Sequence, residues 1–151
     1  MTDQAGMVDV SAKNVTLRTA RARSTITLGP KAFQVLGRGQ CVKGDVLATA
    51  KVAAINAVKS TPAIIPMCHP ILIEAVDVAF EPNDADASVT TTITVKSFGK
   101  TGVEMEALVG VSAASLTIYD MLKYISRDMV IGRTLLLEKT GGKSGSYKRS
   151  D

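Results

Sequence analysis

Residues 89–123, VTTTITVKSFGKTGVEMEALVGVSAASLTIYDMLK, change hydrophobic period once, and that change decides the fold. In 89–95, Val89, Ile93 and Val95 fall on one face, while Thr90, Thr92, Thr94 and Lys96 fall on the other. Such alternation marks a half-buried antiparallel strand. A Gly-flanked polar loop with Lys100 follows, and Glu104 then opens a largely apolar segment. Ile118, Met121, Leu122 and Ile125 form its packing stripe, so 104–125 reads as a helix. The same helix carries Asp120 and Lys123, an acid and a base one turn apart on one face.

Upstream, 71–80 is rich in Ile, Val and Leu, and the turn residues Glu81-Pro82-Asn83-Asp84 join it to 89–95 as a hairpin. Asp45 is placed to cap a helix running to about residue 59, with Leu47, Ala50, Ala54, Ala57 and Val58 as its stripe. Thr61-Pro62 ends that helix. Residues 16–28 (TLRTARARSTITL) read as a strand, broken by Gly29-Pro30 before a short helix near 31–36. A last strand covers about 129–137, ahead of a Gly/Ser/Lys-rich tail. The order strand, helix, two strands, helix, strand is the split βαβ pattern. It predicts an α+β, ferredoxin-like sandwich with an antiparallel sheet and helices packed on one face. One domain over 1–151 is expected, with 1–14 and 139–151 loop-like or flexible.

Composition narrows the function. The chain has 151 residues, enough for one substantial core. No apolar run approaches the ~20 residues that cross a bilayer. The start, MTDQAGMVDVS, lacks both a basic region and an apolar stretch, so no secretory leader, no membrane partner and a cytoplasmic location are expected. Cys41 and Cys68 are far apart and form no CxxC pair. The net charge of +4 would suit nucleic acid. With no Trp and no aromatic residue set among basic ones, however, a base-stacking platform is missing. The lysines beside glycines instead suit a small polyanion such as a nucleotide triphosphate.

Four local groupings could carry chemistry. Cys41-Val42-Lys43-Gly44-Asp45 brings a lysine to a helix start, where it is either an anion contact or an ordinary solvated turn residue. Pro66-Met67-Cys68-His69-Pro70 holds the only histidine between two prolines that keep the loop out of helix. No zinc site is expected, since adjacent Cys68 and His69 cannot build a tetrahedral cage alone. Gly99-Lys100-Thr101 and Gly142-Lys143-Ser144 look like phosphate loops, but Thr94 and Leu137 stand where a Walker A needs its first glycine. Asp120 with Lys123, and Glu104 and Glu106 upstream, make either a surface ion pair or acid/base groups in an enclosed site.

Six fragments appear together and in order: MVDVSAK at 7–13, KGDVLATAKVAAI at 43–55, IPMCHP at 65–70, KTGVEMEAL at 100–108, LTIYDMLK at 116–123 and KTGGKSG at 139–145. As a set, spanning nearly the whole chain, they resemble the MoaC family, the cyclic pyranopterin monophosphate synthases of molybdenum cofactor biosynthesis. The resemblance implies a ferredoxin-like fold and a homohexamer built as a trimer of dimers, with active sites at subunit interfaces. It implies a lyase that converts (8S)-3′,8-cyclo-7,8-dihydroguanosine 5′-triphosphate into cyclic pyranopterin monophosphate and diphosphate. Asp120 then matches the catalytic acid, with Lys43 and Lys123 as partners. Met67, Cys68 and His69 match one substrate-binding segment and Met105 and Glu106 another, while Glu104, Lys139 and Lys143 fall at matching polar positions. Met67 replaces a frequent Leu and Leu122 a frequent Cys, which leaves the functional groups intact. No resident cofactor or metal is implied, and a Mg²⁺ carried with the triphosphate is left open. Rival readings on the same sandwich are a non-catalytic nucleotide-binding regulator and a purely structural oligomer.

Overall fold

In the computed structural model, which describes residues 6–150, five strands form one antiparallel sheet in the order β2-β3-β1-β4-β5. The strands are β1 (Thr16–Thr27), β2 (Ala75–Asn83), β3 (Ser88–Gly99), β4 (Val130–Thr140) and β5 (Tyr147–Lys148). The helices are α1 (Pro30–Gly37), α2 (Val46–Lys59), α3 (Thr61–Ile64) and α4 (Glu104–Leu122). Four long strands with α2 and α4 between them are the ferredoxin-like arrangement that the periodicity predicts.

Register explains which face is buried. Ala20 pairs with Val95, Ala22 with Ile93, Ser24 with Thr91 and Ile26 with Val89, so every inward residue of β1 meets an inward residue of β3. Thr90, Thr92, Thr94 and Lys96 lie on the opposite phase. Helix α4 crosses β1, β3 and β4 and packs along α2, which reaches β2. The helices meet closely at Gly110, where a Cβ would come within 2.8 Å of Val58 Cγ2 and 3.0 Å of Ile93 Cδ1. Ile118 and Leu122 are completely buried, each burial contributing ~1.5–3 kcal/mol. Helix α4 has the length and hydropathy of a membrane span, and those properties serve a core here: Val111, Ala114 and Ile118 have no exposed surface.

Several boundaries differ from the sequence expectation. The first strand residues, 71–74, lie outside β2, although the Glu74 N–H still donates to Lys96 O at 2.9 Å. Strand β2 continues through Pro82 to Asn83, so the turn is 84–87. Thr61-Pro62 ends α2 but begins the short α3, with Pro62 in the first turn where a missing N–H costs nothing. The tail is not wholly loop-like: β4 runs to Thr140 and β5 pairs with it. Arg149 anchors it, its N–H donating to Leu137 O at 2.8 Å and its Nε to Leu136 O at 2.8 Å. Of the N-terminal segment, residues 1–5 lie outside the described residues, as does residue 151, while 6–15 form neither helix nor strand.

Candidate functional site

Helix α4 carries candidate functional side chains at both ends. Beyond its C-terminus, the turn Cys41–Val42–Lys43–Gly44 is closed by the Gly44 N–H on Cys41 O at 3.1 Å, with Gly44 at a φ of 106° that disfavours any other residue. Asp45 then caps α2 by accepting the Ala48 N–H at 2.9 Å. The turn aims Lys43 at α4. Its Nζ donates to Asp120 Oδ2 at 3.1 Å and to Asp120 O at 2.9 Å, while Lys123 Nζ reaches Asp120 Oδ1 at 2.6 Å.

Asp120 thus sits between two ammonium groups. Hydrogen bonds from Lys123 first, and from Lys43 second, hold its carboxyl below the usual carboxylate range. At neutral pH it is an anion able to take a proton, and the lysines are the groups able to give one. The trio is open, with the Lys43, Lys123 and Asp120 side chains 41%, 50% and 56% exposed. A cavity of about 780 Å³ adjoins it, lined by Lys31, Lys123, Tyr124 and Arg127 among others.

At the N-terminal end of α4, Met67, Cys68, His69, Met105 and Glu106 surround a cavity of about 140 Å³. Glu106 is 2% exposed, and burial pushes its carboxyl pKa up, reinforced by Glu104. Burial, then the charge of Glu106, likewise raises the Cys68 thiol. Thr101, Gly102 and Glu104 also line a second cavity of about 330 Å³, so the two adjoin across these residues. The far wall of that second cavity is cationic: Lys13, Arg18, Lys139 and Lys143. The two Gly-Lys loops therefore converge, with Thr101 and Lys143 on one cavity. Lys100 itself turns away and donates to Ser11 O at 2.9 Å.

Arg18 belongs to the segment 16–28 read from its sequence only as a strand. It is 8% exposed, donates from Nε to Gly99 O at 3.2 Å and lies against Gly142, where a Cβ would collide with its guanidinium. The available signal was phase: Arg18 shares the inward register of Ala20, Ala22, Ser24 and Ile26. Asp9 was missed too. It accepts the Ser11 hydroxyl at 2.6 Å and the Ser11 N–H at 2.8 Å, and these bonds, helped by Lys100 and His69 nearby, lower its pKa.

All eleven residues singled out from the sequence fall into these two groups, and one chain keeps the groups apart. Glu106 and Asp120 are separated by 14 helical residues, a rise of about 21 Å. Among the described residues, no three His, Cys, Asp or Glu side chains gather as a metal site.

Comparison with known proteins gives the chemistry a context. A sequence model of the MoaC family matches residues 7–142. A cyclic pyranopterin monophosphate synthase of Bacillus thuringiensis subsp. konkukian is 50% identical over 148 residues, covering 97% of this chain and 92% of that protein. A protein of the same name from Geobacillus thermodenitrificans is 48% identical, covering 97% and 91%. One from Bacillus anthracis is 49% identical, covering 97% and 92%.

Proposed function

The chain belongs to the MoaC family, and from that premise we propose that its Lys43–Asp120–Lys123 trio completes an active site with the cationic cavity of a second copy. Its function is the synthesis of cyclic pyranopterin monophosphate, a lyase step of molybdenum cofactor biosynthesis. The observation that carries the two-copy site is the separation of about 21 Å along α4. No substrate of this size brings both ends of one helix to the same reacting atoms, whereas interfaces between copies regularly join such halves.

The substrate is the cyclised GTP triphosphate. Its phosphates take the cavity of Lys13, Arg18, Lys139 and Lys143, four cations whose field favours a polyanion. Its nitrogen-rich ring takes the adjoining cavity, where Met67 and Met105 supply apolar walls and Cys68, His69, Glu104 and Glu106 supply polar partners. Glu106 there is a buried carboxyl whose pKa is raised by burial.

Opening the five-membered ring and recondensing its atoms into a pterin needs repeated proton transfers and no net redox. Asp120 relays protons, and Lys43 and Lys123 deliver them or steady the departing diphosphate. A hydroxyl then attacks the α-phosphorus, the bond to the β-phosphate oxygen breaks, and diphosphate leaves with its electron pair. Any divalent cation carried in with the triphosphate would belong to the substrate complex. A homohexamer built as a trimer of dimers supplies the interfaces, and the cytoplasm supplies the GTP-derived substrate.

Purified protein mixed with the cyclised GTP should yield a pterin chromophore and diphosphate together. Neither product, under conditions where a known synthase makes both, would sink the enzyme assignment. A regulator that only binds nucleotide would bind equally well after Asp120→Asn.

A further inference from the structure

The turn that carries Lys43 is fastened to the end of α4 by contacts outside the charged trio. Four carbonyls at a helix C-terminus lack intrahelical partners. In α4, Tyr119 O accepts the Lys123 N–H at 2.9 Å and Leu122 O accepts the Ile125 N–H at 2.9 Å. Of the carbonyls beyond Tyr119, two are closed by the turn: Asp120 O by Lys43 Nζ at 2.9 Å and Met121 O by the Cys41 thiol at 3.4 Å. Between those contacts the Val42 N–H donates to the Tyr124 hydroxyl at 3.2 Å. Val42 is 79% exposed, so its side chain gives the turn no apolar anchor. An ammonium on a four-carbon stem keeps one geometry only when its backbone is held.

We propose that Tyr124 is a positioning residue: by accepting the Val42 N–H, its hydroxyl fixes the 41–44 turn so that the Lys43 ammonium stays on Asp120. This rests on the assignment of Lys43 and Asp120 to proton transfer. Without the hydroxyl, the turn loses one of three attachments to the α4 terminus, and Lys43 occupies its place on Asp120 for a smaller fraction of the time. Tyr124 also lines the cavity beside the trio, but its hydroxyl is engaged by the Val42 N–H, so its loss should fall on turnover rather than on substrate binding.

Removing one such hydrogen bond should lower kcat about three- to ten-fold in Tyr124→Phe and leave KM within about two-fold. Val42→Pro deletes the donor at the second position of a four-residue turn, where proline fits. It should reproduce the loss and add less than about 1.5-fold to Tyr124→Phe. In a Lys43→Ala background, Tyr124→Phe should change nothing further, since its effect passes through that lysine. Full kcat in a folded Tyr124→Phe overturns the proposal. So does an undiminished loss in the Lys43→Ala background, which would show the hydroxyl acting on its own. Wild-type turnover by Lys43→Ala itself would instead overturn the catalytic assignment, so the two failures are distinguishable.

Discussion

Asp120 shows how neighbours decide what a carboxylate does. On sequence it could be a trivial ion pair, worth ~0.3–0.5 kcal/mol on a surface. Two lysines converge on it, one per oxygen, and this is the arrangement on which the proposed proton relay rests. Asp120→Asn should cost about 10²–10⁴ in turnover, read by diphosphate release, while gel filtration shows the wild-type oligomer. Glu106 is the opposite case, a buried carboxyl whose pKa burial raises. The folded chain holds its proton more tightly than the unfolded chain, so its contribution to stability declines as pH rises from the ordinary carboxylate range through the raised pKa. Glu106→Gln removes that dependence. Denaturant titrations should show the variant gaining on the wild type as pH climbs through this window, and a constant difference would contradict the assignment.

At the scale of elements, α4 works as core and as mount. Its apolar residues pin it between α2 and the sheet, and its charged residues lie at its two ends. Gly110 is where the packing is tightest, against the stiff Val58 and the sheet residue Ile93. Gly110→Val should lower unfolding free energy by about 1–3 kcal/mol in urea titration. The elements were readable because their periods are clean: β3 alternates without a break, and Asp45 caps α2 as its position foretold. Local cues failed where tertiary contacts took over. Pro82 stays inside an edge strand because its missing N–H costs no ladder bond there. The two-residue β5 exists only because Arg149 reaches back to β4, a contact no local pattern announces.

For the whole molecule, the structure gathers the side chains singled out from the sequence into two groups, a division that no local pattern announces. The burial of Arg18 follows from its strand phase rather than from its charge, and the distance between the groups is a property of α4's length. A site divided between copies has a consequence no single-chain site shares: two inactive variants can repair each other. Asp120→Asn spoils the trio and keeps the cavity, whereas Arg18→Ala spoils the cavity and keeps the trio. Co-expressed at equal levels, they should form mixed oligomers in which about one site in four combines an intact trio with an intact cavity. Turnover of the cyclised GTP by the co-purified mixture should therefore approach about a quarter of the wild-type rate, far above either variant alone. Activity no higher than the average of the two parents would contradict a site shared between two chains.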